Sequence, residues 1–457
     1  MNLTFDTIAA QATPNGRGGI GIVRVSGTLT TRVAKELLGK VPIQRKAEYL
    51  TFYHQNGNII DKGIALFFPG PNSFTGEDIL ELHGHGGPVV LDLLLQRIIT
   101  LPGVRIARPG EFSERAFLNE KIDLAQAEAI ADLIDANSAQ AARAAISSLQ
   151  GVFSTTINDL VEKLTSLRVD IEAKINFPEE NETNVSIDKK IIANLDQAIL
   201  SINKIRTAAY QGCILREGIK IVITGKPNVG KSSIINALAG HEVAIVTNIA
   251  GTTRDILREY IYLDGIPVSI IDTAGLCNVS HNEVEKIGIQ RAWNEIKQAD
   301  HILLVVDSST TKLSEQDKLC NTLIANFPYK TPVTIIRNKA DITGEKIGET
   351  LNNNYSVITI SALSSLGIEI LLKYLTKIIS LPSSTEGVFL ARRRHLEALE
   401  ITANYLLQCK EKISFPTMLE LIAEDLQLAH NALSQITGKF SSHELLKKIF
   451  SRFCLGK

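Results

Sequence analysis

At 457 residues the chain exceeds one ordinary core, since domains usually run to about 100 to 200 residues, and two or three domains are expected. Its 48 Lys and Arg against 49 Asp and Glu give a formal net charge of -1, with 44% hydrophobic and 21% charged residues. That balance excludes a general polyanion binder and reads as a soluble globular protein, so any nucleic-acid contact needs a local patch or a partner.

Five cysteines, Cys213, Cys277, Cys320, Cys409 and Cys454, lack paired or metal-ligand spacing, so no disulfide framework or zinc site is expected and a reducing, cytoplasmic setting fits. The first residues, "MNLTFDTIAAQATPNGRGG", show neither a secretory nor a transit-peptide pattern. Nowhere is there a run of about 18 apolar residues, so no membrane span is expected.

Residues 1–118 mix short β-type runs with Gly and Pro punctuation, as in "GIGIVRVSG" and "KGIALFFPGPNSFTGEDILELHGHGG", followed by the helical "VVLDLLLQRIIT". This predicts a compact α+β domain. Residues 119–215 open with "NEKIDLAQAEAIADLIDANSAQAARAAISSLQG", Ala-rich with apolar residues at helical spacing, which predicts one long amphipathic helix. Two more helices are expected, from Phe153 to about Ile175 and from about Ile187 to Gln211, separated by the breaker "NFPEENET".

Residues 216–382 change period again. The apolar runs "IKIVITG", "HILLVVD", "PVTIIRNKAD" and "YSVITISA" alternate with helical segments, predicting an α/β domain with a parallel sheet. Residues 383–457 return to helix, most clearly in "RRRHLEALEITANYLLQCKEKI". One helical domain split by the inserted α/β domain is favoured because about 70 residues alone bury little core, while two separate helical domains stay open. The basic run at 392–394 is either a nucleic-acid contact or a solvated helix face, and the latter is favoured.

The segment "GKPNVGKS" lies between an apolar strand and a helix and matches G-x-x-x-x-G-K-[ST]. In that motif backbone N–H groups cradle phosphates, Lys231 reaches the β- and γ-phosphates and Ser232 ligates Mg²⁺. Nucleotide contacts are expected from Asn228, Val229, Gly230, Lys231, Ser232 and Ser233. "DTAG", Asp272, Thr273, Ala274 and Gly275, ends another apolar run, where an Asp can approach Mg²⁺ and a Gly N–H can face the γ-phosphate. "NKAD" supplies Asn338, Lys339 and Asp341, whose final carboxylate can accept from the N1–H and 2-amino group of guanine, which adenine does not offer. GTP is the expected nucleotide. Ser361, Ala362 and Leu363 would add a backbone contact near the base.

Between these motifs, "TNIAGTTRD" contributes Thr247, Asn248, Ile249, Ala250, Gly251, Thr252 and Thr253, a candidate switch segment in which Thr253 is the expected second Mg²⁺ ligand. Leu276 follows "DTAG" and cannot orient water, so hydrolysis needs another polar residue and another positive charge. Glu283 and Glu285 are the nearest acidic candidates; both also suit an ordinary first helical turn.

The whole chain resembles the MnmE (TrmE) family of tRNA modification GTPases. The likeness rests on "DTIAAQATPNGRGGIGIVRVSG", "FTGEDILELHGHGG", "ARPGEFSERAFLNEKIDLAQAEA", the GTPase motifs and the terminal "FCLGK". It implies a multidomain α+β protein: an N-terminal folate-binding domain that makes a homodimer, an all-α helical domain, and an inserted Ras-like α/β P-loop GTPase domain. It further implies K⁺ held by Asn228, Thr247, Ile249 and Thr252, a charge that serves where other GTPases use an arginine finger. By the same likeness Glu285 is the catalytic acid, and Arg24, Glu81, Lys121 and Lys457 form the folate pocket.

The implied reaction runs with the flavoprotein MnmG (GidA) in a heterotetramer. It adds an aminomethyl-type group to carbon 5 of a tRNA wobble uridine, taking the carbon from 5,10-methylene-tetrahydrofolate, for which 5-formyl-tetrahydrofolate is the stable analogue. The GTPase motifs alone would equally serve a regulatory GTPase of ribosome assembly; the N-terminal segments and tail discriminate. Leu363 and Leu455 depart from the family's usual basic residue and Ile. His83 and His85 lack a third ligand nearby and are expected to be structural. Cys454 stands fourth from the end, but Gly456 and Lys457 do not fit a prenylation box. Nearby cations favour its thiolate, and the resemblance makes it a candidate catalytic nucleophile.

Overall fold

The computed structural model describes residues 6–176, 189–239, 258–263, 266–272, 299–312, 315–318, 331–352, 355–379, 389–415, 418–439, 446, 449–451, 453 and 456. Contacts divide the chain into two units: Met1–Asp135 with Ala145–Arg206 and Arg394–Lys457, and Ala136–Ala144 with Thr207–Arg393.

The first unit holds a six-stranded sheet of β1 (Thr7–Gln11), β2 (Gly18–Ser26), β3 (Glu48–Tyr53), β4 (Ile59–Phe68), β5 (Ile79–Gly86) and β6 (Val104–Ile106). Their spatial order is β3-β4-β5-β2-β1-β6, antiparallel except for the β1/β6 pair. Alternation along β2 and β5 sends Val23, Val25, Leu80 and Leu82 inward, onto a core with Leu91, Leu94 and Ile98 of α2 (Pro88–Ile99) and Val33 and Leu37 of α1 (Thr30–Leu38). The intervening residues Arg24 and Glu81 therefore share the opposite face, and the register sets them directly across from each other.

After α3 (Glu111–Leu118) the predicted single long helix is two, α4 (Leu124–Ile134) and α5 (Ala139–Leu149). Local hydrogen bonding overrides the Ala-rich propensity. Asp123 and Gln126 form a reciprocal capping box on α4, and Ser138 Oγ accepts from Ala141 N at 3.1 Å to start α5. The next two helices lie close to their expected places, α6 (Val152–Asn176) and α7 (Lys189–Glu217).

Helices from opposite ends of the sequence share a core in this unit. Phe153, Ile157, Leu160, Leu164, Leu167 and Ile171 line the buried stripe of α6. That helix packs along the helix Leu419–Thr437, whose Ile422, Leu426, Ala429, Leu433 and Ile436 are buried. Burying each large aliphatic side chain stabilises by roughly 1.5–3 kcal/mol.

The reading of 392–394 as a solvated face is corrected. Arg394 donates from Nε and Nη2 to Glu128 Oε1 and Oε2 at 2.9 and 2.7 Å, and to the carbonyls of Gln435 and Ile436 at 3.1 and 3.2 Å. Glu128 is 2% exposed and lies 3.0 Å from His395 Nε2. These fixed carbonyls and the buried carboxylate claim the guanidinium more strongly than helical amphipathicity indicates. In the second unit Arg393 pairs with Glu217 at 3.1 Å.

The second unit holds a seven-stranded sheet of β7 (Ile219–Thr224), β8 (Arg258–Leu263), β9 (Ile266–Asp272), β10 (His301–Asp307), β11 (Val333–Asn338), β12 (Gly348–Asn352) and β13 (Tyr355–Thr359). Its order is β12-β13-β11-β10-β7-β9-β8. The five inner strands are parallel, as expected for the four apolar runs among them, and β8 and β12, which the sequence reading did not name, add antiparallel edges. Such antiparallel edge strands are common on doubly wound sheets. The chain leaves β7 to one side for β8 and β9 and resumes on the other with β10. A switch point thus lies at the carboxyl ends of β7 and β10, where sheets of this class hold ligands.

Candidate nucleotide site and candidate N-terminal ligand site

At the carboxyl end of β7 the chain turns through 225–230 into α8 (Lys231–Ala239). Two glycines are required there. At Gly225, φ is +152° and a Cβ would lie 2.3 Å from the Val305 carbonyl oxygen; at Gly230, φ is +96° and a Cβ would lie 2.2 Å from Asn338 Nδ2. Asn228 adopts φ +63° between them. The buried Lys231 curls back so that Nζ donates to the carbonyls of Gly225 and Lys226 at 2.9 and 3.0 Å. The amino end of α8 therefore presents N–H groups that have no partner within the helix, beside a fixed cation, which suits a phosphate.

Asn338, at the end of β11, ties this loop to the segment after β13. Its Nδ2 donates to Val229 O and its Oδ1 accepts from Ala362 N, both at 2.9 Å, and it is buried. Lys339 then takes φ +68° and leads into the short turn α9 (Ala340–Thr343), bringing Asp341 beside Ser361, whose hydroxyl donates to Asp341 Oδ1 at 2.5 Å. A cavity of about 620 Å³ opens here, lined by Asn228, Gly230, Lys231, Ser232 and Ser233 together with Asn338, Lys339, Asp341, Ala362 and the 88% exposed Leu363. Three motifs, the first more than 100 residues before the other two in sequence, thus converge on one cavity.

Ser232 and Asn228, the residues expected to serve Mg²⁺ and K⁺, both line this cavity. Val229 contributes the carbonyl that Asn338 holds. Asp272 ends β9. The remaining expected residues, Thr247, Asn248, Ile249, Ala250, Gly251, Thr252, Thr253, Thr273, Ala274, Gly275, Glu283 and Glu285, lie outside the described residues.

One participant was not anticipated. Asp307, the last residue of β10, holds Lys339 Nζ on Oδ2 at 2.7 Å, while its Oδ1 accepts from Ser309 N and Ser309 Oγ at 2.9 and 2.6 Å. Burial pushes the Asp307 carboxyl up, but the bonds from Lys339 and Ser309 outweigh it and hold it below its ordinary value of 3.8. The signal was present as an acid closing the run "HILLVVD".

The face of the first sheet opposite α1 and α2 brings a second set together. Arg24 donates from Nε to Glu81 Oε1 at 2.9 Å, and Nη2 lies 2.9 Å from the same oxygen. Glu81 Oε2 lies 3.1 Å from His83 Nε2. The His83 hydrogen bond depresses the Glu81 carboxyl most; burial opposes it and the Arg24 charge reinforces it, leaving the group below its ordinary value. His83 thus pairs with Glu81, and His85 likewise pairs with Asp61 at 2.8 Å.

The Arg24 guanidinium lies 5.8 Å from the ring centroids of both Phe74 and Phe112. Sequence spacing gave no sign of these aromatic neighbours. Its Nη1 also reaches the Gly456 carbonyl at 3.5 Å, and a Cβ at Gly456 would lie 2.2 Å from Gln11 O, so Gly456 packs closely beside β1 and Arg24. Lys121 lies over Gly76, whose added Cβ would meet its Cε at 3.0 Å. Arg24 therefore touches both Glu81 and Gly456, with Lys121 on the neighbouring loop; Cys454, Leu455 and Lys457 lie outside the described residues.

Comparison with known proteins finds similar chains over the whole length. A family model described as GTP-binding protein TrmE N-terminus matches residues 7–121, and one described as MnmE helical domain matches residues 124–454. The chain is 60% identical over 452 residues to the tRNA modification GTPase MnmE of Sodalis glossinidius, covering 99% of each chain. It is 59% identical over 452 residues to the protein of that name from Pectobacterium atrosepticum, again covering 99% of each. Among solved structures, the G domain of the T. maritima FeoB iron transporter is 22% identical, covering 35% of this chain and 99% of that one, with a TM-score of 0.26. Relatives this similar from end to end place the chain in the MnmE (TrmE) family of tRNA modification GTPases.

Proposed function

We propose that this chain is a K⁺-activated GTPase. With a flavoprotein of the MnmG (GidA) type, it installs an aminomethyl or carboxymethylaminomethyl group at carbon 5 of the wobble uridine of certain tRNAs. The observation that carries the GTPase reading is the convergence of the phosphate loop, Asn338 with Asp341, and Ser361 with Ala362 on one cavity. The tRNA-modification reading rests on what the relatives are named.

In this reading the amides at the start of α8 and the Lys231 ammonium hold the β- and γ-phosphates, while Asp341, oriented by Ser361, accepts from the guanine edge. Ser232 and Thr253 would hold Mg²⁺, and Asn228, Thr247, Ile249 and Thr252 would hold K⁺. Bound there, the two cations would supply positive charge against the negative charge that develops as the γ-phosphoryl group passes from GDP to water. Leu276 cannot position water, and Glu285 takes that role. GTP hydrolysis drives a conformational change in a homodimer that assembles with two flavoprotein subunits.

Arg24, Glu81, Lys121 and Lys457 would bind the folate that brings the one-carbon unit. A pterin presents a donor edge to Glu81, and basic groups suit its glutamate tail. Cys454 would act as a nucleophile beside it; Cys454→Ser should abolish modification and spare GTP hydrolysis, whereas full modification would reduce the thiol to packing. The deciding experiment pairs titration calorimetry of 5-formyl-tetrahydrofolate with nucleoside analysis of tRNA from a deletion strain. Binding together with loss of the wobble modification is expected. No binding and fully modified wobble uridines would leave instead a regulatory GTPase.

A further inference from the structure

We infer that Asp307 is a positioning residue for the guanine nucleotide, acting through Lys339. It fixes the lysine so that its aliphatic stem forms a wall of the nucleotide cavity before any ligand arrives. The inference rests on the nucleotide reading above and deepens it.

Three observations carry it. First, Lys339 lines the cavity and is 32% exposed at its side chain, while Asp307, 11% exposed, is not among the lining residues. The carboxylate therefore acts from behind the wall. Second, the carboxylate is itself immobilised. Both Ser309 bonds occupy Oδ1, leaving Oδ2 to the Lys339 ammonium at 2.7 Å. Asp307 is also the register partner of Asn338 across the parallel β10/β11 pair, and Ser308 N donates to Asn338 O at 2.9 Å. The anchor is thus built into the strands that present the base-reading residues. Third, Lys339 sits at φ +68°, ψ +34°, a left-handed conformation uncommon for a residue with a Cβ. That backbone sets its side chain at the turn into α9, and the ion pair holds the far end.

A lysine otherwise keeps much rotamer freedom, and ordering it on ligand binding costs affinity. With the ammonium tied down, its four-carbon stem is preorganised as an apolar strip for a flat aromatic ring, and the exposed Leu363 offers a second apolar surface at the same cavity. Preorganisation of this kind strengthens substrate and product binding alike, so it belongs in KM and Kd and not in kcat.

The test is a double-mutant cycle on the full chain with Asp307→Asn, Lys339→Met and the pair, read by GDP affinity and by GTP turnover in K⁺ and Mg²⁺. Asp307→Asn should raise the GDP Kd and the GTP KM about 3- to 10-fold with kcat at saturating GTP held within about twofold. The double variant should bind no worse than Lys339→Met alone, because the two side chains act as one unit. A drop in kcat at unchanged KM, or effects on Kd that simply multiply, would overturn the inference. Thermal unfolding of each variant separates a merely structural role, which would lower Tm while the effects on Kd stayed multiplicative. Failure of the wild-type protein to bind GDP in preference to ADP would instead sink the nucleotide reading itself.

Discussion

The two candidate sites are built from different materials. Around the nucleotide cavity the deciding contacts run between side chains and backbone: Lys231 to two carbonyls, and Asn338 to one carbonyl and one amide. On the N-terminal sheet they run between charged side chains, with Arg24 on Glu81 and His83 on the same carboxylate. A site made from backbone needs residues at fixed offsets along one turn, so it appears as a contiguous motif. A site made from charges facing each other across strands needs only the register, and its members fall at 24, 81 and 83 with the tail at 456. The phosphate turn itself resists salt; the charge pairs, Arg24 with Glu81 on the sheet and Lys339 with Asp307 behind the cavity wall, respond to it.

The largest effect is expected at the nucleotide cavity. Asn338→Ala leaves the Val229 carbonyl and the Ala362 amide unpaired, at about 1–3 kcal/mol each, so guanine-nucleotide affinity should fall at least about 30-fold in equilibrium binding. The same variant should bind 5-formyl-tetrahydrofolate normally. Equal losses at both sites would show global unfolding and erase the contrast.

Acid should act on the first unit with comparable size. Burial pushes Glu111 up, but bonds from Arg105 and from Arg108 N outweigh it and hold it at about 2, below its ordinary 4.5. Because the folded value is the lower one, this stabilisation is fully present above about pH 4.5 and is lost as pH falls toward 2. Its size is on the order of 3 kcal/mol. Denaturant midpoints between pH 6 and pH 3 should therefore drop in the native protein, and Glu111→Gln should flatten part of that slope.

Asp341→Asn exchanges an acceptor for an amide at the base, and preference for GTP over XTP should fall by roughly 2–3 kcal/mol in competition binding. Retained guanine selectivity would move base reading away from this carboxylate. At the other site Arg24→Ala should weaken 5-formyl-tetrahydrofolate by about 10-fold and leave GTP turnover unchanged, a smaller loss because the guanidinium is partly solvated.

Legibility in the sequence followed the same divide. Strand and loop motifs of the sheet domain were readable because periodicity and the glycine demands of the phosphate turn are local. The break at 135–138 was missed because Ala-rich propensity on both sides masked a Ser138 cap. The antiparallel edges β8 and β12 were missed because strand direction depends on connections, not on composition. Arg394 was misread because its partner Glu128 lies 266 residues away. Phe74 and Phe112 gave no signal, since nothing local places an aromatic ring over an arginine folded from another strand.

The central claim is tested most directly by steady-state GTP turnover in KCl against NaCl at equal ionic strength, with and without the flavoprotein and tRNA. A steep rise in K⁺, abolished in Asn228→Ala, is the predicted result; equal rates in the two salts, or full K⁺ stimulation of that variant, would contradict it.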